Sequence, residues 1–307
     1  MNKILVTGGA GFIGSHLVDK LIEKNYKVIV IDNLSTGKRE NLNSQANFYK
    51  IDILDSKISQ IFQKEKPEAV FHYAAQIDVR KSVEDPIENA KVNILGSLNL
   101  LENCKNFRIK KFIFASSGGA IYGTSELLPT PESYLPRPES PYGLSKLVIE
   151  EYLKIYKNIY GLDFVSLRYA NIYGPRQNSK GEAGVVAIFI DKLLEDKRPI
   201  IFGTGEQTRD YLYVEDAIEA ALKALNYRGL LPIFNVGTGL ETNVNEIYNL
   251  ISQKLGKNIK PIYAPAKPGD LKRSCLDISK IKKDIGWKPK YDLEKGLEKT
   301  IQWFLKN

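Results

Sequence analysis

Histidine and cysteine are almost missing from this chain of 307 residues, which has two of each. The cysteines, Cys104 and Cys275, lie far apart and in no C-x-x-C or Cys/His cluster. That pattern offers neither a zinc site nor a disulfide framework and suits a reducing cytoplasm. His16 and His72 are too few for a histidine-based hydrolase or metalloenzyme, so no metal is expected. No apolar run approaches the roughly 20 residues that span a bilayer, and the N-terminus runs directly into a glycine motif, so neither a membrane anchor nor a signal peptide is expected. Blocks of like charge are missing too, although Lys and Arg exceed Asp and Glu to give a formal charge of +8. Without a basic arm, nucleic acid is not an expected partner; the excess suits anionic small molecules such as nucleotides.

What remains is ordinary globular material, 43% apolar and 26% charged. The length suggests one large domain, or one domain with a smaller partner. Residues 3–7 read as a short apolar strand, followed at once by Gly8-Gly9-Ala10-Gly11-Phe12-Ile13-Gly14. Ile13, Leu17, Leu21 and Ile22 then recur at helix spacing, and a second apolar strand over 28–31 ends in Asp32. In such a unit Gly8, Gly11 and Gly14 let the backbone turn tightly and approach a pyrophosphate at the helix N-terminus. Asp32 is placed to accept hydrogen bonds from an adenosine ribose. Its carboxylate would repel a 2′-phosphate, which favours NAD over NADP.

The alternation continues, with strands expected over 48–51, 69–72, 111–116 and 163–168 and a long helix over 86–107. Strands alternating with helices predict an α/β fold, a Rossmann-type doubly wound parallel sheet. Ligands of such sheets sit beyond the carboxyl ends of the strands, where Thr7, Asp32, Asp52, His72 and Ser116 fall. Past Tyr173 the texture changes. Glycines, prolines and polar residues crowd 174–184, then helices over 185–196, 214–224, 244–255 and 293–306 mix with short strands over 200–202 and 233–236. The expected division is an NAD-binding domain over 1–173, to which later segments return, and a smaller mixed α/β region over 174–307, mainly for substrate.

Ser140-Pro141-Tyr142-Gly143-Leu144-Ser145-Lys146 carries the chemistry. A helix opening near Pro141 stacks Tyr142 and Lys146 on one face at i and i+4. A free phenol with a pKa of about 10 is a poor base at neutral pH, and a fixed neighbouring cation favours its phenolate. Y-x-x-x-K alone occurs often by chance; the complete cofactor unit ahead of it gives it weight.

These segments, with His72-Tyr73-Ala74-Ala75, Asn93-Ile94-Leu95-Gly96, Arg168-Tyr169-Ala170-Asn171, Gly203-Thr204-Gly205, Arg209-Asp210-Tyr211, Asn235-Val236-Gly237 and Gly286-Trp287-Lys288-Pro289, occur in order along the chain. Together they resemble the extended short-chain dehydrogenase/reductases, in the NAD-dependent epimerase/dehydratase family, and most of all the UDP-glucose (UDP-galactose) 4-epimerases. The resemblance implies a tightly held NAD, regenerated each turnover, and a UDP-sugar substrate. Tyr142 would take the proton of the sugar 4-hydroxyl while hydride leaves C4, and Lys146 would hold the nicotinamide ribose. The 4-keto sugar would turn over and receive the hydride on its other face. Further cofactor contacts map to Phe12, Ile13, Asn33, Asp52, Ile53, Ala74, Ala75, Gln76, Asn93 and Tyr169, and nucleotide-sugar contacts to Asn171, Val185, Phe202, Arg209, Tyr211, Lys267 and Asp270. Arg209 suits a diphosphate clamp, since guanidinium meets phosphate oxygens in a fork. The resemblance also implies a homodimer, through helices such as 85–107 and 145–160, while the cysteine usage makes the cytoplasm the expected location.

The chain departs from the family pattern in three places. Relatives usually place Ser or Thr four residues before the tyrosine of the V-Y-G motif, and here that position is Gly118. Ser117 is the nearest hydroxyl, but consecutive strand residues face opposite ways, so a water or a direct Tyr142 contact serves as well. Dehydratases and decarboxylases carry an acid just after this position; Gly119, Ala120 and Ile121 are not acids. Lys267 stands where Arg is common, and Ser274 where some relatives have a large Tyr, which leaves room for a 2-acetamido group. Two alternatives stay open: a UDP-uronic acid 4-epimerase, with Arg80, Lys81 or Arg176 meeting the carboxylate, and a non-catalytic nucleotide sensor.

Overall fold

Ile4 to Val6, Val28 to Ile31, Ala69 to Phe71, Phe112 to Phe114 and Phe164 to Val165 are buried without alternation. Strands covered by helices on both faces show this pattern, and it makes a parallel sheet. The computed structural model describes residues 2–179, 184–266 and 271–307. In it β1 (Lys3–Thr7), β2 (Lys27–Asp32), β3 (Asn47–Lys50), β4 (Ala69–His72), β5 (Lys111–Ser117) and β6 (Phe164–Tyr169) follow the expected segments to within a residue or two. Short strands follow: β7 (Asn171–Tyr173), β8 (Ile200–Phe202), β9 (Thr208–Arg209), β10 (Tyr211–Tyr213), β11 (Ile233–Val236), β12 (Thr242–Asn243) and β13 (Ile262–Ala264).

The central sheet has seven strands in the order β11-β6-β5-β4-β1-β2-β3. Every pairing in it is parallel. The chain works outward from β1 to β3, then crosses back to β4 on the other side of β1. That reversal leaves a crevice at the carboxyl ends of β1 and β4. Alternate strand residues feed two cores. Ile4, Val6, Val30 and Phe71 pack with helices 12–23, 185–194, 214–224 and 244–255. Leu5, Ile31, Val70 and Phe114 pack with helices 58–65, 96–106 and 141–160. Strand β11 brings the chain back to the sheet beside β6, while the pairs β10-β7, β12-β9 and β13-β8 stand outside it.

Helix Pro141–Tyr160 begins where Ser140 Oγ accepts from Gly143 N at 3.1 Å and Pro141 takes the first turn. The expected single helix over 86–107 differs. It runs as Pro86–Ala90, a π-helical turn over Lys91–Leu95, and Gly96–Asn106. The wide turn turns Asn93 inward, where its carboxamide accepts from Gln76 N at 2.8 Å and donates to Gln76 O at 2.9 Å. Such turns collect at functional sites. Helices 185–194 and 293–304 end two residues earlier than expected. Among the described residues no helix is long and apolar enough to cross a membrane.

Candidate active site

The loop after β1 admits only glycine at two points. Gly8 has φ +70°, and a Cβ there would lie 2.6 Å from Ala74 N; one on Gly14 would lie 2.1 Å from Gly8 O. The β1 and β4 loops are thereby pressed together, with helix Phe12–Glu23 starting between them. Its cap, Gly11, brings no side-chain acceptor, and no acidic residue lies in the first turn. The positive end of that helix is thus left open to an anion. Asp32, at the end of β2, accepts from Ala10 N at 3.0 Å and Leu34 N at 2.8 Å, so its carboxylate is held beside the glycine loop with lone pairs to spare. Asn33 donates to Asp52 at 2.6 Å. Ile53 is buried against Gly96. Ala74, Ala75 and Gln76 line the end of β4, with Gln76 fixed by Asn93. This donor set and the glycine turn fit a dinucleotide.

Beneath the loop runs a closed chain of hydrogen bonds. Ala74 N donates to Thr7 Oγ1 at 3.2 Å, and Thr7 Oγ1 lies 2.7 Å from His72 Nδ1. His72 Nε2 lies 2.8 Å from Ser97 Oγ, whose own proton goes to Asn93 O at 2.6 Å. Ser97 can therefore only accept from the imidazole, so His72 carries its proton on Nε2 and accepts from Thr7 at Nδ1. Both ring nitrogens are used by the neutral form, and burial pushes the imidazole down to about 3. Thr7 and His72 thus brace the loops after β1 and β4.

Tyr142 and Lys146 share a face of helix 141–160, as expected, with the Lys146 ammonium 5.7 Å from the centre of the Tyr142 ring. Three consecutive residues of β5 are tied to this helix. Ala115 O accepts from Lys146 Nζ at 2.9 Å. Ser116 Oγ donates to Glu150 at 2.8 Å. Ser117 is hydrogen-bonded to the Tyr142 phenol. The pleat turns Ser116 and Ser117 apart, and both find partners on the one helix. The acidity expected of Tyr142 is not supplied by these side chains. Burial pushes the phenol up to about 12, opposed only by the Ser117 bond. Burial likewise brings Lys146 down to about 8, opposed by Glu150.

Gly118 is not spare room. A Cβ there would meet both methyls of Leu276 at 2.6 and 2.7 Å, so Leu276 occupies the space that a side chain would fill. Ser274 closes over Gly119 in the same way, its Oγ 3.2 Å from where a Cβ would begin.

Outside the main sheet, β10 pairs with β7 so that Tyr211 lies opposite Asn171. Arg209, at the end of β9, donates to Thr208 O at 2.8 Å. Tyr211 is buried and its phenol pushed up to about 12 by burial, with Arg209 opposing. Between them Asp210 points the other way and accepts from Thr238 N at 2.8 Å, Thr238 Oγ1 at 2.6 Å and Gly239 N at 3.1 Å. Half-buried Phe202 ends β8, outside the main core, and Val185 opens helix 185–194. Lys267 and Asp270 lie outside the described residues. Arg176 is committed to Asp19 at 2.7 Å, while Arg80 and Lys81 are exposed on helix Val79–Glu84. Tyr169 shares a 2.7 Å hydrogen bond with Tyr73.

Glu150, Arg168 and Asp210 escaped the sequence reading. Arg168 and Asp210 stood inside the quoted motifs, and Glu150 repeats the Tyr142–Lys146 spacing once more, a carboxylate on an apolar face beside Ile149 and Leu153.

Residues 4–237 match the family described as NAD dependent epimerase/dehydratase. The chain is 51% identical to the UDP-glucose 4-epimerase of Thermotoga maritima solved with UDP-glucose, at a TM-score of 0.97 with 99% of each chain covered. It is 44% identical, at a TM-score of 0.94 and again 99% of each chain, to the Thermus thermophilus UDP-glucose 4-epimerase in complex with NAD. A UDP-N-acetylglucosamine 4-epimerase from Methanobrevibacter ruminantium, in complex with UDP-N-acetylmuramic acid, is 40% identical at a TM-score of 0.94, over 99% of this chain and 98% of that one. On these matches, which run over almost the whole chain, the protein belongs to the NAD-dependent epimerase/dehydratase family.

Proposed function

We propose that this protein inverts the C4 configuration of a UDP-hexose, interconverting UDP-glucose and UDP-galactose through a transient 4-keto sugar. The observation that carries the reading is the clamp of Ser117, Tyr142 and Lys146 at the mouth of a dinucleotide cradle. Tyr142, as phenolate, takes the proton of the 4-hydroxyl and later returns it, with Ser117 sharing that hydrogen bond. Bound NAD supplies the hydride acceptor for C4, and its oxidised ring brings positive charge toward a phenol that burial alone holds near 12. Lys146 holds the nicotinamide ribose. Gly8, Gly11 and Gly14 let Phe12 and Ile13 approach the pyrophosphate, and Asp32, Asn33 and Asp52 take the adenosine end. Arg209 clamps the UDP diphosphate, with Asn171, Val185, Phe202, Tyr211, Lys267 and Asp270 around the nucleotide sugar. Residues 1–173 hold the cofactor in this scheme and 174–307 mainly the sugar nucleotide. Ser274, small where some relatives have a large Tyr, leaves room for a 2-acetamido group, so UDP-GlcNAc and UDP-GalNAc are substrates too.

Two copies work together in the cytoplasm. Val83, Ile87, Leu144, Ile155, Ile159 and Tyr160 are 47–68% exposed on helices 79–84, 86–90 and 141–160, an apolar face that suits a second copy of the chain. The deciding experiment incubates the purified protein with a panel of UDP-, dTDP- and GDP-sugars and identifies the separated products. Interconversion of UDP-glucose and UDP-galactose is expected; its absence with NAD bound overturns the proposal.

A further inference from the structure

We infer that Glu150 is a positioning residue for this reaction, holding the end of β5 against the catalytic helix and balancing the charge beside Lys146. The inference rests on the epimerase reading and adds a group that touches neither substrate nor cofactor. Glu150 is 0% exposed and lies one helical turn beyond Lys146, two beyond Tyr142. Its partners follow from the sheet register, which places Ser116 opposite Arg168 and Phe114 opposite Ser166. Ser116, Ser166 and Arg168 therefore emerge on one face, under the helix, and all donate to the one carboxylate. Ser116 and Ser166 do so at 2.8 Å each, and Arg168 at 3.0 Å through Nε and 2.5 Å through Nη2.

A buried ion pair is a poor way to gain stability, because the desolvation of both ions consumes most of their attraction. Its position suggests another use. Of the three β5 residues clamped to the helix, Ser116 is the middle one, and its neighbours serve Lys146 and Tyr142. Fixing Ser116 fixes the Ala115 carbonyl and the Ser117 hydroxyl together. On the far side Arg168 Nη1 donates to Tyr122 Oη at 2.9 Å, and Tyr122 donates to Asn235 Oδ1 at 2.8 Å. Asn235 Nδ2 donates to Thr130 O at 2.9 Å and Asp277 O at 3.1 Å, which seats the segment whose Leu276 fills the space at Gly118. One buried chain thus runs from the catalytic helix to the residue that closes the strand end.

The charges around Lys146 are few. Tyr142 and Glu150 face it from its own helix, and His72 from β4 is neutral. Phe114 and the Ala115 carbonyl meet it from β5, and Arg168 stands on β6 behind Glu150. Removing the Glu150 charge takes away the one opposing charge and leaves Arg168 uncompensated, so Lys146 loses its proton more easily. Removing the Arg168 charge does the reverse.

The test is the pH dependence of kcat and KM for Glu150→Gln, Arg168→Gln and the double variant, each checked for fold and bound NAD. The wild-type kcat should fall above about pH 8, where Lys146 deprotonates. That limb should move down in Glu150→Gln and up in Arg168→Gln, each by about one pH unit, or roughly tenfold in rate on the limb. In the double variant it should return, with kcat still about tenfold reduced and KM within about threefold, because the hydrogen bonds that fix β5 are weakened. Limbs that stay put in both single variants overturn the inference. If the single variants do not fold, the double variant decides: lowered kcat with unchanged KM supports it, and wild-type kinetics overturn it. A double variant that cannot fold also overturns it, since the pair would then serve stability. No turnover in the wild type would sink the epimerase reading, and this inference with it.

Discussion

The proposed cofactor side and the proposed sugar side of the molecule place their residues by different means. Asp32, Thr7, His72 and Ser117 stand at or next to the ends of strands of four to seven residues that are buried on both faces. Arg209 and Tyr211 stand on strands of two and three residues, each with a single short neighbour. A long buried strand fixes its end through many contacts, so losing one group there leaves the frame intact. A two-residue strand has no such reserve. Besides its pairing with β12 and the bonds of Thr208 to Lys272, Ser274 and Glu241, it leans on one buried carboxylate, Asp210, tied to Thr238, Gly239 and Leu276. The cofactor side should therefore lose chemistry without losing structure, and the sugar side should lose both at once.

The sharpest version of the first half is Tyr142→Phe. The ring stays in place with its packing, and only the proton-transferring oxygen is lost. The kcat for UDP-glucose and UDP-galactose interconversion should fall by at least about 10³-fold, while melting temperature and bound NAD are unchanged. Retained activity would refute the base, and loss of NAD would show that this side is as fragile as the other.

Asp210→Ala tests the second half. It strands Thr238 N, Gly239 N and the Thr238 hydroxyl in a site where Asp210 itself is 1% exposed. A destabilisation of about 2–4 kcal/mol is expected from the orphaned donors. KM for the nucleotide sugar should rise about tenfold, since about 1.4 kcal/mol of lost sugar-side binding has that effect. NAD affinity should not move. An unchanged melting temperature would mean that the short strands are held by something other than this carboxylate.

The same contrast governs what could be read from sequence. The cofactor side announces itself in contiguous residues, because a glycine turn, a helix and an acid at the end of the next strand are near neighbours in the chain. Tyr142 and Lys146 are legible for the same reason, one helical turn apart. What escaped were pairs that only the fold brings together: Gly118 against Leu276, Ser116 and Arg168 meeting on Glu150, and His72 locked between Thr7 and Ser97. The helix expected over 86–107 was right in extent and wrong in detail, since nothing local in Lys91–Leu95 announces a wide turn; its reason is Gln76 across the crevice. The acidity expected of Tyr142 does not come from the protein's own side chains: sequence shows a cation one turn away and hides the burial that pushes the phenol up to about 12.

The smallest effect should come from Ser274, which lies between the two regions. Its N–H donates to Thr208 O at 3.2 Å, beside Arg209, and its hydroxyl faces Gly119 after β5. It is half-buried, so Ser274→Tyr should cost little stability, within about 0.5 kcal/mol for a site without buried partners. The larger ring starts over Gly119, so it should narrow the pocket where the sugar C2 substituent is proposed to lie. Turnover of UDP-GlcNAc should fall about tenfold or more relative to UDP-glucose, the size of effect that steric exclusion of a few atoms produces in a pocket. Competition between the two sugars in one reaction gives that ratio directly. An unchanged ratio would mean that the acetamido group lies elsewhere, and that the strand-end glycines shape the pocket without help from the segment above them.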